Sequence, residues 1–177
     1  MFYNSAVLFC YLLITNIIFT SLTIGSDKKN QSYFDCPCPH IIAHQGASLE
    51  LPPNTIEAFQ LALDYGADII ELDIWRSMDG VWVVIHDGNL LRIAGVNKDI
   101  TQMSFEEIQS LDAAYNFSDS SGNYLYRNKG YRIPSLEEVL KKFNSEKINI
   151  EIKDHRKLVL SDLFELVKKY DMEQKTL

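Results

Sequence analysis

The sequence predicts an α/β fold built on a mostly parallel sheet, of the (β/α)8 or TIM barrel kind. Three observations predict it. Short apolar runs alternate with amphipathic helical stretches. Ionisable side chains gather at the C-terminal ends of those runs: His44, then Glu71 and Asp73, then His86 and Asp87, then Glu151 and Lys153. That is where a barrel carries its active face. No glycine-rich phosphate loop follows the first run, as it more often would in a doubly wound sheet.

Each element has its own signal. HIIA, His40 to Ala43, reads as the first strand. TIEAFQLALDYG follows with Ile56, Phe59 and Leu63 at helical spacing and Gly66 as a stop. ADIIELDIW puts Ile70, Leu72 and Ile74 on one strand face and Glu71 and Asp73 on the other. Asp79-Gly80 marks a turn before a third strand, Val81 to Ile85. The connection is longer than a tight hairpin loop, so the pairing direction stays open. An irregular stretch from His86 to Arg132 holds one short helix, SFEEIQSL, opened by a Ser104/Glu107 capping box. A second capping box, Ser135 to Glu138, opens SLEEVLKKF. KINIEIK is the fourth strand, and LVLSDLFELVKKY closes the series as an amphipathic helix.

The N-terminus stands apart. Residues 1–25 read as a signal peptide or an N-terminal anchor, and 26–39 as a polar, Pro-interrupted linker. No basic residue precedes the apolar run, which makes an imperfect signal, but Thr23 and Gly25 suit a cleavage site after Gly25, so a secreted or lumenal location is expected. A retained anchor is the alternative, with membrane contact through residues 5–24 only. The net charge of -7 argues against a nucleic-acid partner, because phosphate backbones bind basic surfaces. Cys10, Cys36 and Cys38 make no zinc pattern, and a C-x-C pair closes a poor disulfide ring. Sequons occur at Asn30 and Asn116.

The chemistry rests on the strand-end groups. Glu71, Asp73 and Glu151 offer hard oxygen ligands for a divalent cation, Ca2+ or Mg2+. The plainer alternative is a solvated E-x-D pair on an edge strand. His44 and His86 could share acid and base roles near neutral pH, although a single histidine is more often structural. Lys153 could hold an anionic group or merely neutralise the carboxylates. Asn54 reads as a helix N-cap, and Gly46 as a residue that lets the loop pass close to a ligand. Together these groups suit phosphoester hydrolysis.

These motifs resemble the glycerophosphodiester phosphodiesterase family. The matching stretches are IAHQGAS, PPNTIEAF, GADIIELDI, DGVWVVIHD, MSFEEIQSLDAAY, RIPSLEEVL and INIEIK, in the family's order, across about His40 to Asp154. The resemblance implies a TIM barrel that hydrolyses small glycerophosphodiesters to sn-glycerol 3-phosphate and an alcohol. It implies Glu71, Asp73 and Glu151 as metal ligands, His44 and His86 as the acid-base pair, and Lys153 as a phosphate contact. It also admits an internal nucleophile and a cyclic phosphate.

Three departures bear on this. The family's HRG arginine is Gln45, a neutral amide at a substrate-binding position, so weaker binding or slower turnover is expected. PENT reads PPNT, with Pro53 at the acidic position. A full barrel needs about 250 residues, and 138 follow residue 39. Residues 40–177 are therefore expected to supply the N-terminal half of a barrel. The alternatives are a non-catalytic phosphodiester-binding relative or inactive fragment, and a phospholipase D-like barrel acting on whole lipids.

Overall fold

The computed structural model describes Tyr33 and residues 39–156 and 160–177. The apolar N-terminal segment, its boundary at residue 25, most of the linker, the three cysteines and Asn30 lie outside the described residues. No helix among those described is long and apolar enough to cross a membrane.

Four strands form one sheet. They are β1 (Ile42–His44), β2 (Ile69–Arg76), β3 (Trp82–Val84) and β4 (Lys147–Ile152). β2 is central. It pairs in parallel with β4 from Ile69 to Ile74, and in parallel with β1 from Ile69 to Glu71. β3 pairs with β2 antiparallel, from Ile74 to Arg76. Since β4 occupies one edge of β2 throughout, β1 and β3 must share the other edge in tandem. The sheet is thus not four successive parallel strands, because β2 and β3 form a hairpin. Ser77 closes it, its hydroxyl accepting from Val81 N while Ser77 N donates to Val81 O. The parallel series continues past β4: Lys175 to Leu177 bond to its outer edge, with Ile150 N donating to Leu177 O and a parallel bridge between Ile148 and Thr176. β1, β2, β4 and this last segment make one wall of the expected barrel.

The helices are α1 (Ile56–Asp64), α2 (Leu91–Ala94), α3 (Phe105–Gln109), α4 (Leu136–Lys142) and α5 (Ser161–Lys169). Both capping boxes form: Ser104 with Glu107 at α3, and Ser135 with Glu138 at α4. α1 is capped by Thr55, which accepts from Ala58 N, and not by Asn54. The stretch from His86 to Arg132 holds more than the one expected helix, since α2 and a 3-10 turn at Ile100–Gln102 lie in it too. These pieces have too few residues for a readable helical period.

The core has two parts. Phe59 of α1, Leu136, Val139 and Leu140 of α4, and Leu163 and Val167 of α5 pack on Ile70, Leu72, Ile74 and Ile148 of the sheet. Val83 and Ile85, alternating with Trp82 and Val84, face the other way onto Leu90, Ile100, Met103, Ile108 and Ile133. Each fully buried Ile, Leu or Phe contributes roughly 1.5–3 kcal/mol relative to exposure. The long excursion is therefore a packed layer that roofs the hairpin and fixes where its end points.

Candidate active site

The register of β2 assembles the site. His44 of β1 stands beside Glu71, and Glu151 of β4 stands beside Asp73. Partners in parallel register point to the same side, so the three carboxylates converge, with oxygens within 4.8 Å of one another. Glu71 and Asp73 are buried and Glu151 is exposed. The edge-strand alternative fails for β2, which is paired on both sides.

Asp73 is held from several directions. The Gln45 side-chain amide donates to its Oδ2 at 2.8 Å. The Asn54 amide donates to the same oxygen at 2.9 Å. Lys153 Nζ lies 3.4 Å from Asp73 Oδ1 and 2.7 Å from Glu151 Oε1. Among the described residues the partner of the buried Asp73 Oδ1 is the Lys153 ammonium. One ammonium offsets only part of the charge of three carboxylates, and their converging oxygens fit a hard divalent cation.

Burial pushes the Glu71 carboxyl above the ordinary carboxylate range, and Asp73 and Glu151 push the same way. The Gln45 backbone N–H, 2.9 Å from Glu71 Oε2, and His44 pull against it. The ion pair with Lys153 holds Glu151 low, and the Lys153 ammonium is correspondingly favoured.

Gln45 supports the carboxylate cluster. Its amide is spent on Asp73, and its backbone takes a left-handed φ of 58°. Asn54, read from sequence as a helix cap, is a buried site residue instead, also at φ 58°. Its side chain receives Asp73 N at 3.4 Å as well as donating to Oδ2. Cap preference does not reveal this, because Asn is at least as good an N-cap as Thr; the fold places Thr55 at the cap. Gly46 serves packing: a Cβ there would lie 2.7 Å from the Ala58 carbonyl carbon. It lets the loop pass close to α1.

The strands that lead into the two histidines, β1 and β3, lie along the same edge of β2. β1 runs up to His44 beside Glu71, and β3 runs down until Ile85 N donates to Asp73 O at 2.8 Å. His86 is next in chain. His44 is largely exposed, with Nε2 3.9 Å from Glu71 Oε2. Trp75 Nε1 donates to the His86 carbonyl at 2.9 Å, and Gly88 allows it, since a Cβ there would lie 2.8 Å from the indole. A cavity of about 320 Å3 opens beside His86, Gln45 and Asn54, with Ile93, Phe117 and Ile133 in its wall. A second, of about 590 Å3, lies on the side of Trp75, Lys153 and His155.

Residues 44–171 match the Glycerophosphoryl diester phosphodiesterase family. The chain belongs to this family. It is 33% identical to human lysophospholipase D GDPD1 over 99% of its own length and 54% of that protein's. It is 36% identical to a glycerophosphodiester phosphodiesterase of Caldanaerobacter subterraneus, over 77% of this chain and 56% of that one. Among solved structures, a glycerophosphodiester phosphodiesterase from Agrobacterium tumefaciens superposes with a TM-score of 0.68 at 34% identity, covering 78% of this chain and 56% of the other. An Oleispira antarctica phosphodiesterase in complex with the product sn-glycerol-3-phosphate superposes with a TM-score of 0.62 at 29% identity, covering 75% and 53%. The chain thus spans about half the length of the relatives it matches.

Proposed function

We propose that the parent protein hydrolyses glycerophosphodiesters to sn-glycerol 3-phosphate and an alcohol, with a divalent cation and two histidines. The observation that carries this reading is the convergence of Glu71, Asp73 and Glu151, with His44 beside Glu71 and His86 on the segment that follows β3. Glu71, Asp73 and Glu151 would hold the cation, either Ca2+ or Mg2+. When bound, it would polarise a phosphoryl oxygen and offset the anionic charge of substrate and site.

The chain's own groups supply the rest. Lys153 sits at the edge of the carboxylate cluster, where its ammonium can meet a phosphate oxygen. One imidazole takes the proton of the attacking water, and the other protonates the leaving alcohol; where a substrate hydroxyl attacks first, the same pair lets water open the cyclic phosphate. Gln45 and Asn54 keep Asp73 in place. Gln45 brings no charge to the phosphate, which supports slower turnover than an arginine would give at that position. The test is release of glycerol 3-phosphate from glycerophosphocholine by the full-length protein, with and without added Ca2+ or Mg2+. Turnover that persists undiminished in Glu71→Ala/Asp73→Ala would sink the metal role.

A second reading has its own support. Several relatives bear the name lysophospholipase D, and the cavity beside His86 has an apolar wall in Ile93, Phe117 and Ile133. A single acyl chain on the glycerol fits that wall better than a polar solute. Assaying lysophosphatidylcholine beside glycerophosphocholine separates the two. The apolar N-terminal segment supports a secreted or lumenal location, to be tested by fractionation and signal cleavage.

A further inference from the structure

His86 is gripped by a chain of charges that the roles above leave unused. Its Nδ1 lies 2.7 Å from Asp87 Oδ1. The other oxygen of that carboxylate, Oδ2, accepts from Arg92 Nε at 2.5 Å. Arg92 stands on α2, whose placement follows from Leu90 and Ala94 being buried beneath the excursion. Asp87 is only a quarter exposed.

An exposed Asp–Arg pair alone contributes little. Here the carboxylate is bridged on both oxygens, and one partner is an imidazole in the site. An ionised carboxylate can only accept, so the ring nitrogen facing it must carry the proton. The neighbouring guanidinium holds the Asp87 carboxyl below the usual carboxylate range, which keeps it ionised.

We infer that Asp87 and Arg92 are positioning residues for His86: Asp87 fixes the tautomer with Nδ1 protonated, leaving Nε2 as the atom that moves a proton, and Arg92 aims Asp87. This rests on the reading of His86 as an acid-base group. Trp75 fixes the main chain of His86 from the other side through its carbonyl. Backbone and ring are thus held independently. His86 also borders the cavity that holds Lys153, His155 and Arg92, so its orientation decides which wall of that space it serves.

The test uses the full-length protein. Asp87→Asn should lower kcat on glycerophosphocholine about 100-fold while KM stays within about threefold, because the wrong tautomer disables proton transfer and not binding. Arg92→Gln should cost about tenfold in kcat and add nothing to Asp87→Asn, since it acts through Asp87. Arg92→Lys should recover part of that loss. In 15N-resolved spectra the His86 ring should show a protonated, hydrogen-bonded Nδ1 that Asp87→Asn abolishes. Independent, multiplicative losses in the double variant would overturn the inference, and so would a wild-type His86 protonated on Nε2. The spectrum needs no turnover, so a silent wild-type enzyme with Nδ1 protonated would defeat the hydrolase reading and the proton-transfer role, while the tautomer fixed by Asp87 would stand. If Asp87→Asn does not fold, the Arg92→Gln spectrum and the Arg92→Lys recovery carry the test.

Discussion

Replacing Asn54 by alanine removes two things that a buried site cannot easily replace. The amide no longer donates to Asp73 Oδ2, a contact of 2.9 Å to a carboxylate with no solvent exposure. A hydrogen bond to a charged partner contributes about 1.5–3 kcal/mol. Alanine must also hold a φ of 58°, which Asn tolerates and Ala does not, at a cost of about 1–2 kcal/mol. The sum is about 2.5–5 kcal/mol, a large share of the stability of an ordinary domain. With a urea slope of about 2 kcal/mol per molar, the unfolding midpoint should fall by roughly 1.3–2.5 M. Asn54→Asp keeps the size and tolerates the backbone, yet it turns an acceptor toward Asp73. At pH 7 it should be destabilised at least as much as the alanine variant, and it should recover as pH falls toward 4 and one proton bridges the pair. A midpoint shift under 0.5 M for Asn54→Ala, or an Asn54→Asp protein as stable as wild type at pH 7, would refute the account of Asp73 as a carboxylate held by neighbouring amides.

Gln45→Arg should raise kcat/KM on glycerophosphocholine at least tenfold if the lost charge limits phosphate binding; steady-state kinetics in the full-length protein decides it. Gly46→Ala should destabilise by about 2–4 kcal/mol, because its Cβ meets the α1 backbone and its φ is 79°; urea unfolding measures it. The buried Glu71 carboxyl titrates above its unfolded value. Its contribution to stability is therefore present at pH values below the ordinary carboxylate range and lost as pH rises through the raised value. In the presence of chelator, Glu71→Gln should flatten the fall in Tm between about pH 4 and 7. Added Ca2+ or Mg2+ should raise Tm in the wild type and leave Glu71→Gln nearly unmoved.

Much of the site was legible in the sequence because strand alternation is a strong rule. Glu71 and Asp73, two apart, had to share a face, and β4 carries Glu151 on the matching phase. The capping boxes were legible for the same reason: the hydroxyl and the carboxylate sit at a fixed helical spacing. What the residues did not reveal was long-range. Asn54 looked like a cap because local bonding rules compete there, and only the fold brings Asp73 within reach. The pairing direction of β3 stayed open, since the pattern of alternation is blind to direction, and the fold makes it antiparallel to β2. Gln45 was read as a substrate contact; that its amide also donates to Asp73 depends on the left-handed turn after β1.

The shared edge of β2 has a consequence for how errors arise. Two carboxylates, the partner of the third, the neighbour of His44 and the end of the His86 strand are all referenced to one strand's register. A single-residue slip of β2 would turn Glu71 and Asp73 into the apolar layer and send Ile70, Leu72 and Ile74 toward the site. Chemistry and core would fail together. A chain with a spoiled site would then also be an unstable one, so misregistered molecules should be removed by proteolysis and not persist as folded, inactive protein.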